Sequence, residues 1–165
     1  MRFLEVALMV LFLVVARFLD AQETKIDASR FELTVNDGAQ ASATVNNDGP
    51  EGQAAVTAVI SRIGLEFWSV ELRAPNVNFE PGKTYEIKFQ AKCEPPNYVY
   101  VVPEKMEGNQ SSVGAGTTLR LSGQWAECSV EFQTTEAATP GRLTLSGLSA
   151  NPASYSFSNV RVSEK

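Results

Sequence analysis

The chain has 165 residues, a formal net charge of −5 and no histidine. An acidic balance without basic clusters argues against binding to nucleic acid or to anionic membrane surfaces. Without histidine, the chain lacks the commonest general base and the commonest metal ligand. The composition therefore disfavours acid–base catalysis, metal chemistry and nucleic-acid recognition.

The first residues follow the pattern of a secretory signal peptide. An uncharged apolar run from Val6 to Val15 is followed by Leu19-Asp20-Ala21, which resembles a cleavage site. The run is shorter than the roughly 20 residues that cross a bilayer comfortably. We expect a cleaved signal peptide at residues 1–21, one domain at residues 22–165, and a secreted protein that is extracellular or periplasmic and no longer in contact with the membrane. An uncleaved N-terminal anchor is the alternative.

Alternating apolar and polar residues predict β-strands along the first half of the mature chain. Early strands are expected at residues 26–35 and 54–60, with a short strand at 41–45 in the polar, glycine-rich stretch between them. The clearest pair of strands surrounds Pro81-Gly82, a strong turn signal, because proline presets φ and glycine accepts positive φ. This arrangement is typical of an antiparallel β-protein.

The strand before this turn has a regular period of two. Trp68, Val70 and Leu72 alternate with polar residues, so all three are predicted to face the core. The same pattern continues after the turn from Tyr85 to Cys93. Trp68 is therefore interpreted as a core residue in preference to a ligand-binding one.

The second half of the chain continues the pattern after a break at Pro95-Pro96. Further strands are predicted at residues 98–102, 117–121, 125–132, 142–146 and 155–162. Residues 103–116 are polar and glycine-rich without periodicity, which predicts a long exposed loop. Eight to ten short strands with turn signals between them indicate an all-β protein, either a two-sheet sandwich or a barrel.

The chain has two cysteines, Cys93 and Cys128, at positions predicted to face the core. In an exported protein they are candidates for a disulfide between neighbouring strands. The alternative is that both are small buried hydrophobic residues. A zinc site is disfavoured, because two thiols without histidine do not complete a tetrahedral ligand set.

An ordered set of short motifs extends over nearly the whole mature chain. The set is Phe31-Glu32, Trp68-x-Val-x-Leu72, Pro81-Gly82-Lys83-Thr84-Tyr85, Phe89-x-Ala91-Lys92, Trp125-x-x-Cys-x-Val-x-Phe132, Gly141-Arg142-Leu143 and Tyr-x-Phe-Ser158-Asn159-Val160. In this order and spacing it resembles the carbohydrate-binding modules of families four, nine and twenty-two. The resemblance implies a two-sheet antiparallel β-sandwich, a jelly roll, whose concave sheet binds a glycan chain without catalysing a reaction.

The resemblance also bears on a structural calcium ion. The family commonly has an aspartate just before the closing Asn-Val, where this chain has Ser158, whereas Glu32 matches the other usual acidic position. Calcium prefers six to eight oxygen ligands, so the loss of one carboxylate weakens the site. We expect no required cofactor, and only a weak calcium site that includes Glu32.

Strand parity assigns candidate ligand-binding residues to the concave sheet that the resemblance implies. Among the outward positions of three of its strands, the candidates are Glu71, Arg73, Tyr98, Tyr100 and Arg142. Tyrosine combines a flat apolar ring with a polar hydroxyl, and arginine and glutamate form charge-assisted hydrogen bonds with sugar hydroxyls. Trp125 is added as a candidate at the groove edge. In the alternative interpretation these are ordinary sheet-surface tyrosines, an Arg73–Glu71 ion pair across strands on a solvated face, and a tryptophan that caps the core.

These observations favour a module that binds a β-linked polysaccharide such as xylan or β-glucan, alone or with a separate glycoside hydrolase or cell-surface partner. The alternative is a secreted structural or adhesion domain that binds a protein and not a sugar. Catalysis is disfavoured, because glycoside hydrolysis normally needs two carboxylates about 5 to 10 Å apart and Glu71 is the one that parity assigns to the groove.

Overall fold

The computed structural model describes residues 23–165, which form two antiparallel β-sheets. The strands are β1 Glu23–Ile26, β2 Glu32–Val35, β3 Gln40–Asn46, β4 Ala55–Arg62, β5 Val70–Pro75, β6 Thr84–Glu94, β7 Asn97–Lys105, β8 Thr117–Leu121, β9 Ala126–Gln133, β10 Gly141–Ser146 and β11 Ala153–Glu164. Short 3-10 turns occupy Ala28–Arg30 and Pro50–Gly52. The predicted signal peptide lies outside the described residues. Within residues 23–165, no helix is long and apolar enough to cross a membrane.

The two sheets have different strand orders. The front sheet has the order β2-β5-β10-β7-β8, and the back sheet has the order β3-β4-β11-β6-β9 with β1 paired to β11. Neighbouring strands within each sheet are often far apart in sequence, as expected for a jelly roll. The antiparallel sandwich predicted from the sequence is thus confirmed.

Period-two alternation explains how both sheets contribute to one core. On β6, the residues Tyr85, Ile87 and Phe89 are buried, whereas the intervening Glu86 and Lys88 lie on the outer face. Front-sheet residues such as Leu72 and Leu145 are fully buried against the opposite side of the same core. Complete burial of each large aliphatic side chain contributes about 1.5 to 3 kcal/mol.

The first predicted strand, at residues 26–35, is in fact two strands in different sheets. β1 pairs with β11 in the back sheet, and β2 pairs with β5 in the front sheet. Backbone hydrogen bonds from Arg30 N–H to Asp27 O and from Phe31 N–H to Ala28 O form the turn between them. The apolar pattern is continuous across this turn because both strands face the same core.

The predicted disulfide is wrong, since Cys93 and Cys128 are both free. Cys128 on β9 is opposite Phe89, which precedes Cys93 by four residues along β6. At about 3.3 Å per residue this offset is roughly 13 Å, and a disulfide requires Cα atoms less than about 7 Å apart. Burial raises the pKa of the Cys93 thiol to about 11. Cys93 therefore behaves as a small buried residue, which was the alternative interpretation.

Candidate functional site

A cleft of about 440 Å³ lies on the outer face of the front sheet. We call it the front cleft. Its lining residues are Phe67, Trp68, Glu71, Arg73, Tyr100, Val102, Glu104, Asn109, Gln110, Ser112, Arg142 and Ser146. The floor comes from β5, β7 and β10, at positions that alternate with core residues such as Leu72, Val101 and Leu145. The regular pleat of these three strands therefore positions the floor side chains.

Glu71 and Arg73 form the first ion pair of the floor. Arg73 donates to Glu71 Oε2 from Nε at 2.9 Å and from Nη2 at 2.6 Å. Ser146 Oγ, on the adjacent strand β10, donates to the other oxygen, Glu71 Oε1, at 2.6 Å. The Glu71 carboxylate is nearly fully buried, so these bonds replace the water that it would otherwise bind. The pair joins two positions of one strand, which the sequence analysis had considered as a solvated cross-strand pair.

Arg142 and Glu104 form a second ion pair, on β10 and β7. These two residues are directly opposite in the register, and Arg142 Nε and Nη2 each lie 2.8 Å from Glu104 Oε2. Thr144 Oγ1 donates to the same carboxylate oxygen at 2.6 Å. Arg142 Nη2 also donates to Gln110 Oε1 at 3.3 Å, which connects the loop after β7 to the floor. Both pairs of the floor are thus completed by a hydroxyl from β10.

Three aromatic side chains lie beside the first ion pair in the lining of the front cleft. We call Phe67, Trp68 and Tyr100 the aromatic wall. Phe67 and Tyr100 meet edge to face, with ring centroids 5.8 Å apart and planes at 68°, and Trp68 is next to Phe67. Ser149 Oγ fixes the backbone of the wall: its single proton is donated to Glu66 O at 2.9 Å, with Phe67 O also within reach at 3.2 Å. The wall is therefore fixed by the backbone around it as well as by contact between the rings.

Two glycines allow the aromatic rings to sit where they do. A Cβ on Gly116 would lie 2.2 Å from Tyr100 Cζ, well inside van der Waals contact. A Cβ on Gly147 would lie 2.5 Å from Phe67 Cζ, and this glycine also has a positive φ of 73°. Glycine is the one residue without a side chain that would collide with the ring, so both positions are needed for the wall.

The prediction that Trp68 is a core residue is wrong, because Trp68 is 55% exposed and lines the front cleft. Strand β5 starts only at Val70, and a turn precedes it in which Ser69 N–H donates to Glu66 O at 3.1 Å. The alternation of side chains holds only within a strand. Trp68 precedes the strand, so its position two residues before Val70 does not make it face the core.

The structure brings together four of the six predicted ligand-binding residues: Glu71, Arg73, Tyr100 and Arg142. Tyr98 is on the same face but outside the lining, exposed beside Arg120 of the edge strand β8. Trp125 does not line the front cleft. It precedes β9 at the edge of the back sheet, where Lys92 Nζ is 5.1 Å from its ring centroid.

The sequence analysis missed several lining residues. Glu104 shares the parity of Tyr100 and Val102 and was overlooked because Pro103 was interpreted as the end of the strand, whereas β7 extends to Lys105. Parity alone would have identified it. Phe67, Asn109, Gln110 and Ser112 belong to turns and loops, for which the strand pattern carries no directional signal.

The two positions considered for calcium lie in different sheets. Glu32 starts β2 opposite Arg73, whereas Ser158 is buried on β11 and donates from Oγ to Ala54 O at 2.8 Å. Among residues 23–165 no group of three or more His, Cys, Asp or Glu side chains is arranged to bind a metal ion. A weak calcium site at Glu32 stays a prediction.

Comparison with known protein families identifies the family to which this fold belongs. Residues 29–151 match the family model of a carbohydrate binding domain of the CBM 4/9 type. The chain belongs to this family. No protein with a curated function matches the sequence significantly.

Solved structures of similar proteins agree on the fold of this carbohydrate binding domain. A structure described as CBM4 has a TM-score of 0.69 and 18% identity, and the match covers 84% of this chain and 89% of the other. The N-terminal cellulose-binding domain of Cellulomonas fimi β-1,4-glucanase C has 0.61 and 14%, covering 82% and 88%. The CBM22-1 xylan-binding domain of Paenibacillus barcinonensis Xyn10C has 0.61 and 13%, covering 87% and 95%. At these identities the likeness shows the fold.

Proposed function

We propose that this carbohydrate binding domain is an exported, non-catalytic module that binds a β-linked polysaccharide of the xylan or β-glucan type in the front cleft. The observation that carries the proposal is the combination of an aromatic wall with a hydrogen-bonded polar floor in one cleft of about 440 Å³. Clefts of a few hundred Å³ with convergent polar groups are typical ligand sites.

The wall and the floor suit the two kinds of surface that a sugar ring presents. The apolar C–H face of a pyranose packs against an aromatic ring, and Phe67, Trp68 and Tyr100 provide three such rings. The ring hydroxyls need donors and acceptors. A guanidinium has five N–H donors, so Arg73, which uses two of its nitrogens on Glu71, retains donors for a ligand.

The state of the two carboxylates supports binding without hydrolysis. Glycoside hydrolases use a pair of carboxyl groups, one as acid and the other as base or nucleophile. In the front cleft Glu71 and Glu104 are each bound by an arginine and by a hydroxyl. Both carboxylates therefore position the arginine and hydroxyl side chains of the floor.

Two of the similar structures support a β-linked glycan as the ligand. One is a cellulose-binding domain and the other a xylan-binding domain. The acidic chain and the neutral sum of charges in the cleft are compatible with such uncharged polymers. A separate glycoside hydrolase or a cell-surface protein that uses the same polysaccharide fits this role as a partner.

Affinity electrophoresis tests the proposal. We expect the protein with residues 1–21 removed to be retarded in gels that contain xylan, mixed-linkage β-glucan or hydroxyethylcellulose, and not in gels without polysaccharide. Trp68→Ala and Tyr100→Ala should each weaken binding at least tenfold, because each removes one ring of the wall. Trp125→Ala is the matched control, since this tryptophan lies on the back sheet and should leave retardation unchanged.

A second candidate function, adhesion to a protein partner, is supported by the loop that leads into the aromatic wall. Its Leu65 is 88% exposed, and Ile63 is also exposed, outside the front cleft. Exposed clusters of large apolar side chains often mark protein contacts. Absence of retardation by every polysaccharide would overturn the glycan proposal and favour this candidate.

A further inference from the structure

The charged residues of the front cleft are balanced one against one. Four lining residues carry a charge at neutral pH: Glu71, Arg73, Glu104 and Arg142. Each arginine lies within 2.8 Å of its own glutamate, as Arg73 with Glu71 and Arg142 with Glu104. Both cationic side chains that line the front cleft therefore already have a carboxylate partner.

The carboxylates are held as firmly as the arginines. Ser146 occupies the second oxygen of Glu71, and Thr144 adds a hydrogen bond to the oxygen of Glu104 that accepts from Arg142. The two hydroxyls and the glutamates they contact lie on adjacent strands, so the regular sheet fixes their separation. Moving either glutamate aside would break its bonds to an arginine and to a hydroxyl together.

Neutral and anionic sugars make different demands on such a floor. A hydroxyl group needs only a free donor or acceptor, and each guanidinium retains N–H groups that its glutamate does not use. A uronate carboxylate entering beside a paired arginine would meet the resident glutamate as well, so its charge would be repelled at close range. Displacing the glutamate would leave a buried carboxylate without its counter-ion, which is strongly unfavourable.

We propose that the two arginine–glutamate pairs are specificity determinants that restrict the front cleft to neutral glycans and exclude chains that bear carboxylates. This inference rests on the proposed function and deepens it. The glutamates exclude uronates because they occupy the arginines that would otherwise bind them. In each pair the arginine Nε and Nη2 both contact one oxygen of the glutamate, and a uronic acid carboxylate would need the same two nitrogens, which makes the competition direct.

Removing one glutamate charge tests the proposal. Wild-type protein should bind hydroxyethylcellulose but not highly substituted carboxymethylcellulose, a pair with the same β-glucan backbone. If the neutral ligand is xylan, arabinoxylan and glucuronoxylan form the equivalent pair. Glu71→Gln keeps the shape of the side chain and an acceptor for Ser146 and frees Arg73, so affinity for the anionic glycan should rise at least tenfold.

Glu104→Gln provides a second variant with a smaller expected gain. It frees Arg142, whose side chain is 9% exposed compared with 26% for Arg73, and an arginine that is less accessible binds a polymer less well. The matched control is Glu131→Gln. It changes the net charge by the same amount on the back sheet and should leave both affinities unchanged. Thermal unfolding of each variant verifies that it is folded.

Measurement in about 0.5 M NaCl separates the effect of the ion pairs in the cleft from the effect of the protein's net charge. At that concentration the Debye length is about 4 Å, so repulsion by the net charge of −5 is screened while contact pairs in the cleft persist. Exclusion of the anionic glycan that persists in salt, together with the gain in Glu71→Gln, supports the proposal. Equal binding of the neutral and anionic glycans by wild type, or no gain in either glutamine variant, overturns it. Binding of no glycan of any kind would instead refute the proposed function.

Discussion

The outer faces of both sheets carry ion pairs, but the two sets differ in their access to water. On the back sheet, Lys165 Nζ and Glu131 are 2.6 Å apart, with the Glu131 side chain 55% exposed. On the front sheet, Arg142 and Glu104 are 2.8 Å apart, with Glu104 only 16% exposed. Exposed pairs contribute little to stability because water competes for them, whereas breaking a shielded pair leaves a charge that nothing solvates. The contact distance alone therefore does not reveal which pair matters.

Removing the side chains of Glu104 and Glu131 one at a time should give the largest difference in stability between the front and back pairs. Glu104→Ala leaves the buried Arg142 without its carboxylate, and we expect a loss of about 3 kcal/mol in the free energy of unfolding. The matched deletion, Glu131→Ala, should leave stability unchanged within the error of denaturant titration. Equal effects of the two substitutions would contradict the view that burial distinguishes the front pairs from the back ones.

Two glycine-to-alanine substitutions test whether the position of the aromatic wall determines glycan affinity. Gly116→Ala places a methyl group where the Tyr100 ring now lies, so the ring must move, and glycan affinity should fall about tenfold, or about 1.4 kcal/mol. Gly123 has open space around its missing Cβ, and Gly123→Ala should bind normally. Isothermal titration with the glycan found by electrophoresis measures both. Unaltered binding by Gly116→Ala would show that the position of Tyr100 is not important for recognition.

The smallest expected effect concerns the inner side of the back sheet. The buried Cys93 thiol keeps its proton up to about pH 11 in the folded protein, whereas an unfolded thiol loses it near pH 8.5. The folded state then binds more protons, so stability is fully present below about pH 8 and falls as pH rises. We expect Cys93 to contribute a loss of about 1 kcal/mol by pH 9.5.

Denaturant titration of wild type and Cys93→Ser across pH 7.5 to 9.5 isolates this contribution. A serine does not titrate in that range and keeps the bond that Cys93 Sγ donates to Pro95 O at 3.2 Å. The difference between the two curves should shrink as pH rises. A difference independent of pH would show that the thiol titrates normally, contrary to its burial.

Prediction from the sequence succeeded for the regular stretches that were recognised as strands. The alternation of Val70, Leu72 and their polar neighbours was sufficient to assign Glu71 and Arg73 to one face, and the same reasoning assigned Tyr100 and Arg142. The family resemblance then added that these faces belong to a single sheet. Both steps depend on a repeat of two residues that the backbone maintains over each strand.

Prediction failed where long-range pairing or an irregular backbone determines position. The offset between Cys93 and Cys128 depends on the register of β6 with β9, which the local pattern of neither strand contains. Trp68 and Phe67 point into the front cleft because of a turn held by Ser69 and Ser149, a serine more than 80 positions further along the chain. The wall and the loop of Gln110 therefore became visible only with the structure.

The position of β11 has a consequence for how the back sheet opens. This strand, Ala153–Glu164, lies in the middle of the back sheet and pairs with β1, β4 and β6. If β11 separated, the back sheet would be divided into two unconnected strand pairs, and β1 would lose its partner strand. We therefore expect the backbone amides of these strands to exchange with solvent as one cooperative unit.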